Sequence, residues 1–581
     1  MNTNIPRPEH PNPQWERKLW KNLNGTWEFE IDHGNSGVDR ALWEKEHLDS
    51  SITVPFCPES PLSGVNYKDF MLSVWYKKTI ALEESDLTGN RVILHFGAAD
   101  FETTVYVNGK RAGLPHVGGY ASFEYDITPF LKAGDNDLTV HCYDDTRSGR
   151  QASGKQSRGF ASRGCNYTRT TGIWQTVWYE IVPAAYVKYA RILPDLENVS
   201  VLIDAELVGK GDLTAEVYYE GKKVGEGSKK NLSVTGFLEV KLSEKHLWEI
   251  GHGRLYDLVL RFGKDEVKSY FGLRSIELDG MKFRLNGRSV FQRLVLDQGF
   301  YHDGICTAPT DVMLEKDVRC GLDAGFNGAR LHQKVFEPRY LYHADRLGYL
   351  VWGEYGNWGL DYSDVANLST FLPDWLSAVK RDFNHPSVIG WCPFNETWDY
   401  GAQKKRQDDA LLRIVYEETK RYDPTRPCID TSGNFHVVTD IYDLHDYDQN
   451  PETFKARYDA AVTAGEIEER QKRQRWDGRL PLFLSEYGGT GFRLAVAEGV
   501  DSKKVAWSYG EAAENYEEFY NRYRGLTHAL LDNPLMMGFC YTQLTDVEQE
   551  KNGLFLYETR EPKFDMAIIS EINKKKAAIE D

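Results

Sequence analysis

The first part of the chain alternates apolar and polar residues in short segments that end at Gly, Pro or Asn. Examples are Gly25–Ile31 and Glu102–Val107, and the Asn108-Gly109 pair that follows is typical of a type I′ turn between two strands. The alternation continues with fewer aromatic residues from about residue 184 to residue 278. We therefore predict an N-terminal β-sandwich over residues 1–183 and an immunoglobulin-like β-sandwich over residues 184–278.

After residue 279 short apolar runs alternate with segments of helical periodicity. The helical segments are 310–324, 338–347, 371–383 and 408–422. The apolar runs that predict strands are 290–296, 327–330, 350–353, 388–394, 428–431, 441–444, 482–485 and 537–541. Strands and helices that alternate over about 300 residues are typical of a (β/α)8 barrel. The predicted class is therefore multidomain β plus α/β, with a C-terminal barrel over residues 279–581.

Polar residues follow nearly every predicted barrel strand. They are Asp297, Arg330 and His332, Glu354, Asn395 and Glu396, His445 and Tyr447, Glu486, and Gln543. Because the carboxyl ends of barrel strands converge on one face, residues spread over roughly 250 positions become neighbours. A polar residue also follows a strand simply because a loop begins there. The shared position of three carboxylates and two histidines favours an active site over that alternative.

Two glutamates carry the chemistry that these strand ends predict. Glu396 follows the predicted fourth strand and Glu486 the seventh, so their carboxylates face each other across the barrel mouth. A pair about 5–5.5 Å apart hydrolyses glycosides with retention: one attacks the anomeric carbon, and the other protonates the leaving oxygen and later activates water. Repulsion and unequal burial supply the opposite protonation states that this needs. Salt bridges or metal ligation are the alternative roles.

These segments resemble glycoside hydrolase family 2, which contains β-galactosidases, β-glucuronidases and β-mannosidases. The resemblance covers nearly the whole chain, and its motifs are Tyr106-Val-Asn-Gly, Gly118-Gly-Tyr, Thr171-Gly-Ile-Trp-Gln-Thr-Val-Trp, Phe326-Asn-Gly-Ala-Arg-Leu-His, Phe383-Asn-His-Pro-Ser-Val-Ile-Gly-Trp, Asn395-Glu396 and Ser485-Glu486-Tyr487-Gly488. It implies that the first sandwich is a sugar-binding jelly roll.

The resemblance also implies roles for the residues at the barrel mouth. Glu396 matches the family's general acid/base and Glu486 its nucleophile. Asn395 matches the asparagine that binds the sugar 2-hydroxyl, and Tyr447 the tyrosine that orients the nucleophile. Arg330 lies where its charge lowers the pKa of the nucleophile.

Other candidates keep two interpretations each. His332 resembles the family's substrate histidine, and a histidine bonded to a loop carbonyl is the alternative. Asp297, Glu354 and His445 are candidates for hydroxyl binding or for structural hydrogen bonds. Stacking against a pyranose and core packing are the alternatives for three tryptophans, Trp352, Trp358 and Trp398.

The segment after the predicted eighth strand indicates whether the substrate is a neutral sugar or a uronate. It reads Glu550-Lys551-Asn552-Gly553 and lacks the Asn-x-Lys-Gly pattern with which β-glucuronidases bind the uronate carboxylate. We therefore expect a retaining exo-β-glycosidase of the β-galactosidase type. A β-uronidase is the alternative, in which Lys551, Lys334 or Arg339 binds the carboxylate. A carbohydrate-binding protein without catalysis is a further alternative.

A basic, glycine-rich insertion near residues 144–163 is either a mobile surface loop or a loop over the barrel mouth that shapes the leaving-group subsite. Elsewhere acidic residues dominate, and the formal net charge of −17 argues against nucleic acid and anionic membranes as partners.

The N-terminal residues lack the pattern of a signal peptide, and we find no apolar run of transmembrane length. We expect a cytoplasmic enzyme for small β-glycosides or oligosaccharides, and the resemblance implies a homo-oligomer. The eight cysteines show no metal-binding spacing, so we expect reduced thiols, no metal and no cofactor.

Overall fold

A computed structural model describes residues 5–397, 406–433, 435–468, 474–493 and 506–581. The N-terminal strands are Trp20–Asn22, Gly25–Ile31, Ser50–Val54, Ser73–Leu82, Asn90–Phe96, Ala99–Asp100, Glu102–Val107, Lys110–Arg111, His116–Val117, Phe123–Asp126, Gly134–Tyr143, Gly172–Ile173 and Val177–Pro183. A four-stranded and a seven-stranded sheet enclose a core that includes Trp27, Tyr76 and Phe96. The predicted sandwich is confirmed.

The turn at Asn108-Gly109 has the conformation that its sequence predicts. Asn108 has φ of 49° and Gly109 has φ of 75°, and Val107 pairs with Lys110 across the turn. Two successive residues with positive φ define the type I′ turn, in which Asn and Gly cost little.

The middle sandwich packs a three-stranded sheet on a four-stranded one. Its strands are Tyr186–Asp195, Ser200–Val208, Gly211–Tyr219, Lys222–Leu232, Thr235–Lys241, Tyr256–Phe262 and Asp265–Phe271. Their buried residues alternate with exposed or half-buried ones, for example Leu258, Leu260 and Phe262, as in an immunoglobulin-like fold. A small sheet of Ile276–Asp279, Lys282–Leu285 and Arg288–Ser289 leads into the barrel.

The barrel strands run parallel. In chain order, the first to eighth are Gln292–Asp297, Gly328–Leu331, Leu350–Glu354, Val388–Cys392 with its continuation Phe394–Asn395, Thr431–Ser432, Tyr442–Asp446, Leu482–Gly488 and Met536–Thr542. Seven of them pair in the order fourth, third, second, first, eighth, seventh, sixth. The fifth pairs with the continuation of the fourth. Each lies within a few residues of a predicted strand, and nearly all of their residues are buried, as in a sheet covered on both faces.

Helices cover the outside of the barrel. Among the described residues, the α-helices of the barrel domain are Asp311–Asp323, Pro338–Leu347, Leu368–Asp382, Asp409–Tyr422, Pro451–Ala464, Tyr516–Leu531 and Met566–Asn573, with a 3-10 helix at Val365–Asn367. The N-terminal sandwich has one short α-helix, Glu84–Leu87, and the 3-10 helices Leu42–Glu44, Pro61–Ser63 and Thr128–Phe130. Pro338 begins its helix, and Gly348 ends it with φ of 67°, which are the usual positions of these residues at helix ends.

Two further short ladders are Ile467–Glu468 with Arg475–Trp476 and Thr490–Phe492 with Tyr509–Ala513. Within the described residues, the helices are too short or too polar for any to span a lipid bilayer.

Candidate active site

Glu486 lies in the seventh barrel strand, with its side chain in the mouth of the barrel. It is 3% exposed and accepts a hydrogen bond from the Tyr447 hydroxyl. Arg330 Nη1 is 3.3 Å from its other carboxylate oxygen and also donates to the Ser485 carbonyl at 2.5 Å. A guanidinium and a phenol therefore hold this buried carboxylate in position through charge-assisted hydrogen bonds.

Arg330 and His332 are held in place by Glu354. Arg330 Nε donates to one Glu354 oxygen at 2.5 Å, and His332 Nδ1 is 3.0 Å from the other. Burial alone lowers the pKa of Arg330, but the carboxylates of Glu354 and Glu486 raise it above its ordinary value. Burial and the charge of Lys155 lower the pKa of His332. The imidazole is therefore neutral and donates to Glu354 through Nδ1, so its unprotonated Nε2, 3.8 Å from the nearest Glu486 oxygen, makes no hydrogen bond to that carboxylate. Glu354 thus takes the structural alternative.

Glu396 directly follows Phe394–Asn395, and its backbone has φ of 49°. Its N–H donates to the Ser432 carbonyl at 3.0 Å. His445 Nδ1 is 2.8 Å from Glu396 and 3.4 Å from Glu486, so this imidazole lies between the two carboxylates. Oxygens of Glu396 and Glu486 and a nitrogen of His445 all lie within 4.8 Å of one another. This spacing fits the retaining arrangement of two carboxylates rather than the wider inverting one.

His445 changes the protonation of this pair. Burial alone lowers the pKa of His445, but Glu486 and Glu396 raise it above its ordinary value. Burial alone raises the pKa of Glu396, but the hydrogen bond and charge of His445 lower it. The resting proton therefore lies on His445 rather than on Glu396. Among the described residues, Glu396, His445 and Glu486 are also the set whose donor atoms lie close enough together to hold a metal ion. A protonated imidazole, however, has no free lone pair with which to bind a metal.

Asn395 is fixed through its backbone, and one polar atom of its side chain stays free. Asn357 bonds its N–H at 2.9 Å and its carbonyl at 3.0 Å, and Trp358 Nε1 donates to the same carbonyl at 3.2 Å. Its Oδ1 accepts from Arg330 at 3.2 Å. Its buried Nδ2 has no partner among the described residues. This amide is a donor available to a substrate hydroxyl.

Asp297 belongs to a different network from the two glutamates. It ends the first strand as predicted, but its carboxylate accepts from the Gly299 N–H at 2.9 Å and the Tyr340 hydroxyl at 3.1 Å. Burial and the charge of Asp317 raise its pKa to about 7. These contacts support the structural alternative rather than hydroxyl binding.

The three candidate tryptophans differ in their positions relative to the site. Trp352 is fully buried, packs near Phe483 and donates to Gln292, so it is a core residue. Trp358 borders the site. Trp398, for which stacking against a pyranose was one of the two interpretations, lies outside the described residues.

The cations predicted for a uronate have other partners. Lys334 donates to the Gly299 and Cys306 carbonyls at 2.5 and 2.6 Å. Arg339 pairs with Asp311, and the charge of Lys551 acts on the carboxylate of Asp546. Lys334 and Arg339, which the uronidase alternative would use, are therefore held by other groups of the fold.

Lys155 of the N-terminal insertion is the cation that the sequence analysis missed. The insertion lies against the loop after the third barrel strand: Ser153 N–H donates to the Trp358 carbonyl at 2.7 Å. Lys155 is 6% exposed, and its Nζ is 4.1 Å from the centre of the Trp358 ring. Burial alone lowers its pKa, but Cys165, Glu550 and the two facing glutamates raise it, so it stays charged. Its basic, glycine-rich loop was the available signal.

Glu550 brings a further carboxylate to the same region. It accepts from the Tyr167 hydroxyl at 2.5 Å and from Asn552 Nδ2 at 3.1 Å. Gln543 in turn donates to Asn552 at 2.9 Å. Burial raises the pKa of Glu550, and the charge of Lys155 opposes this rise. The loop after the eighth strand therefore brings the carboxylate of Glu550 to this region, and directly before Gly553, where the uronate pattern has its lysine, it has Asn552.

Comparison with known proteins supports the domain order. Residues 20–148 match the sugar binding domain of glycosyl hydrolases family 2, residues 185–274 match a second domain of that family, and residues 312–520 match its TIM barrel domain.

Individual relatives are distant. One from Formosa agariphila, which carries the beta-glucuronidase name, is 27% identical over 444 residues, 70% of this chain and 50% of that protein. A beta-galactosidase from Bacteroides ovatus is 25% identical over 427 residues, 67% of this chain and 48% of that protein. The chain thus spans about half the length of these relatives. A solved beta-glucuronidase from an uncultured Clostridium sp. shares the fold with a TM-score of 0.78 at 19% identity, covering 96% of this chain and 98% of that one. With all three domains matched in order, the chain belongs to glycoside hydrolase family 2.

Proposed function

We propose that this protein is a retaining exo-β-glycosidase that removes terminal β-linked sugars with Glu486 as nucleophile and Glu396 as general acid/base. The observation that carries the proposal is the pair of carboxylates within 4.8 Å, each with a different partner. Arg330 and Tyr447 donate to the Glu486 carboxylate, while His445 supplies a proton next to Glu396. One carboxylate is thereby prepared to attack and the other to protonate.

The reaction follows as a double displacement. Glu486 attacks the anomeric carbon, and Glu396, which receives its proton from His445, protonates the departing oxygen. A glycosyl ester of Glu486 remains. Glu396 then takes a proton from water as the water attacks, and the sugar leaves with its original configuration. The free Asn395 amide donates to the sugar 2-hydroxyl, a contact that strengthens as the ring gains positive charge.

For the sugar, the site favours a neutral glycoside of the galactoside type. Glu550 adds a buried carboxylate to those of Glu396 and Glu486, while Lys155, Arg330 and the protonated His445 are the cations beside them. A uronate carboxylate next to Glu550 meets like charge, which is unfavourable in a buried site. The relative from Bacteroides ovatus carries the beta-galactosidase name.

A β-uronide is the second candidate, and Lys155 is the observation that favours it. Its Nζ makes neither a hydrogen bond nor an ion pair within the described ranges, so its charge is available to a carboxylate. Structural neighbours named beta-glucuronidase include a Ruminococcus gnavus enzyme in complex with D-glucuronic acid.

Lys155→Met separates the two sugars. Initial rates are compared on 4-nitrophenyl β-galactoside, β-glucoside, β-mannoside, β-glucuronide and β-galacturonide, with the exposed Lys264→Met as control. We expect the galactoside to be fastest and its kcat/KM to fall about tenfold or less in Lys155→Met. If a uronide is fastest and the same variant lowers its kcat/KM by about 100-fold while galactoside turnover is unchanged, Lys155 binds the carboxylate and the neutral-sugar proposal is wrong.

Tyr447→Phe tests the orientation of the nucleophile. The hydroxyl donates to Glu486 and is 3.1 Å from Thr542 Oγ1, so its loss removes a charge-assisted hydrogen bond. We expect kcat to fall roughly 10- to 100-fold with little change in KM. Tyr416→Phe is the matched control, because Tyr416 lies on the outer helix Asp409–Tyr422 and its hydroxyl donates to Asp440. Equal effects of the two substitutions argue that Tyr447 serves only the fold.

A further inference from the structure

The His445 ring contacts a buried hydroxyl through the nitrogen that does not face Glu396. Nδ1 is 2.8 Å from Glu396 Oε1, and Nε2 is 3.0 Å from Ser432 Oγ. Ser432 Oγ donates to Asp443 Oδ2 at 2.6 Å. Ser432 lies in the fifth barrel strand and Asp443 in the sixth, and both residues are fully buried. These four residues therefore form one continuous chain of polar contacts, which begins at the general acid and ends in the buried interior.

The Asp443 carboxylate keeps its negative charge in this buried position. Its Oδ2 also accepts from the Gly433 N–H at 3.0 Å and from the Ser485 hydroxyl. His436 Nε2 is 3.1 Å from Oδ1. Burial alone raises the pKa of Asp443, but the interaction with His436 holds it below its ordinary value. Asp443 is therefore an acceptor for Ser432 and not a donor.

The directions of these hydrogen bonds place a proton on each ring nitrogen of His445. A serine hydroxyl has one proton, and Ser432 donates its proton to the Asp443 carboxylate. The Ser432 oxygen is therefore an acceptor toward Nε2, as the Glu396 carboxylate is toward Nδ1. An imidazolium donates from both nitrogens, whereas a neutral imidazole donates from one. The contacts of His445 thus match a protonated ring on both sides.

The turn that follows Ser432 fixes the position of the His445 ring. Gly433 has φ of 67°, and a Cβ built on it would overlap His445 Cγ, so only glycine lets the ring lie this close. The Ser432 carbonyl also accepts the Glu396 N–H at 3.0 Å. One short segment thus holds both the ring that carries the proton and the backbone of the residue that delivers it.

We propose that Ser432 and Asp443 are positioning residues that keep the resting proton on His445 and direct it toward Glu396. When the leaving oxygen is protonated, one proton passes from His445 Nδ1 through Glu396 to that oxygen, while Nε2 keeps its own proton, which Ser432 accepts. In the second half of the reaction, water returns a proton to Nδ1 through Glu396. The balance therefore closes without a proton leaving Ser432 or Asp443. The inference rests on the proposed roles of Glu396 and His445 and adds the groups that hold their proton in place.

Ser432→Ala removes the acceptor of Nε2 and the link to Asp443. We expect kcat/KM for methyl β-galactoside, whose leaving group needs protonation, to fall about tenfold, while that for 2,4-dinitrophenyl β-galactoside changes less than about twofold. On the methyl glycoside, the alkaline limb of the kcat/KM profile should move to lower pH by about one unit, because an imidazolium without this acceptor loses its proton more easily. Ser289→Ala is the matched control, since Ser289 is also buried, donates to the Ile579 carbonyl at 2.8 Å and lies before the first barrel strand. It should change neither result.

The pH shift is specific because the other groups around His445 stay in place. The charged and titratable groups whose electrostatic interactions involve this ring include Glu396, Glu486, Arg330, Glu354, His332 and Asp443. Ser432→Ala alters none of these side chains, and of them only Asp443 loses its connection to the ring.

Two further measurements separate positioning from a purely structural role. In a chain that carries His445→Asn, adding Ser432→Ala should change kcat/KM by less than about twofold, since the imidazole on which Ser432 acts is gone. Nitrogen NMR of the unsubstituted chain with labelled histidine should show His445 protonated on both ring nitrogens at neutral pH. Its signals are assigned by their loss in His445→Asn.

The proposal is overturned if Ser432→Ala leaves the ratio of kcat/KM for the two galactosides and the alkaline limb unchanged, if its effect persists in full with His445→Asn, or if His445 carries a single ring proton. Failure of the proposed function differs, because the unsubstituted chain then turns over no glycoside, whatever the NMR spectrum shows. If Ser432→Ala fails to fold, Asp443→Asn, which keeps the shape and removes the charge, decides by the same ratio and the same shift to lower pH.

Discussion

Replacing Glu486 by Gln is expected to lower kcat by about 10⁴-fold or more, because the amide cannot form the glycosyl ester. The substitution is close to isosteric: the Gln oxygen can accept from Arg330 while its NH2 donates to the Tyr447 hydroxyl, so the fold is preserved. Initial rates on 4-nitrophenyl β-galactoside measure the loss, and circular dichroism of the variant checks the fold. Glu558→Gln, on an exposed loop, is the control.

The product of a rescue reaction assigns the role more sharply than the rate. In Glu486→Ala, azide attacks the anomeric carbon directly from the side that the carboxylate left, so the product is an α-glycosyl azide. A β-glycosyl azide from this variant would mean that Glu486 is not the nucleophile. Activity near that of the unsubstituted chain would remove the two-glutamate mechanism altogether.

Much of the barrel was predictable because its strands are buried on both faces and therefore read as apolar runs. The predicted run 350–353 is observed as Leu350–Glu354, and 482–485 as Leu482–Gly488. The predicted run 428–431 is the least accurate, since the fifth strand is only Thr431–Ser432. Before that strand, Cys428 forms a single isolated bridge to Trp391 of the fourth strand. A continuous apolar run indicates roughly where such a strand lies, whereas the ends of the strand depend on neighbours far along the chain.

The site was predictable only as far as strand ends determine position. Glu396, Glu486, Tyr447 and Arg330 come together as the barrel geometry requires. Asp297 occupies an equivalent strand end, yet its carboxylate bonds Gly299 and Tyr340. A strand end fixes where the backbone lies, while side-chain packing decides which neighbour the carboxylate meets.

Lys155 shows a second limit of prediction from the sequence. It reaches the barrel mouth from a loop of a different domain, and its position follows from the docking of that loop on the backbone at Gly356 and Trp358. Hydrophobic periodicity contains no information about such interdomain contacts.

Glu396→Ala is expected to show an effect that depends on the leaving group. For a substrate whose leaving group needs protonation, such as methyl β-galactoside or lactose, we expect kcat/KM to fall by about 10⁴-fold, near the upper range for loss of a general acid. For 2,4-dinitrophenyl β-galactoside, whose leaving group departs as a stable anion, kcat/KM should change little. Stopped-flow and steady-state rates on the two substrates measure this contrast.

The second half of the reaction gives the same residue a second test. Without Glu396 as base, water attacks the glycosyl ester about 100-fold more slowly, so the ester accumulates and both kcat and KM fall for the activated substrate. Azide needs no base, and because it attacks the ester it should restore turnover and yield a β-glycosyl azide, opposite in configuration to the product from Glu486→Ala. Equal losses on both substrates with no azide product would show that Glu396 supports the site only as a charge beside His445.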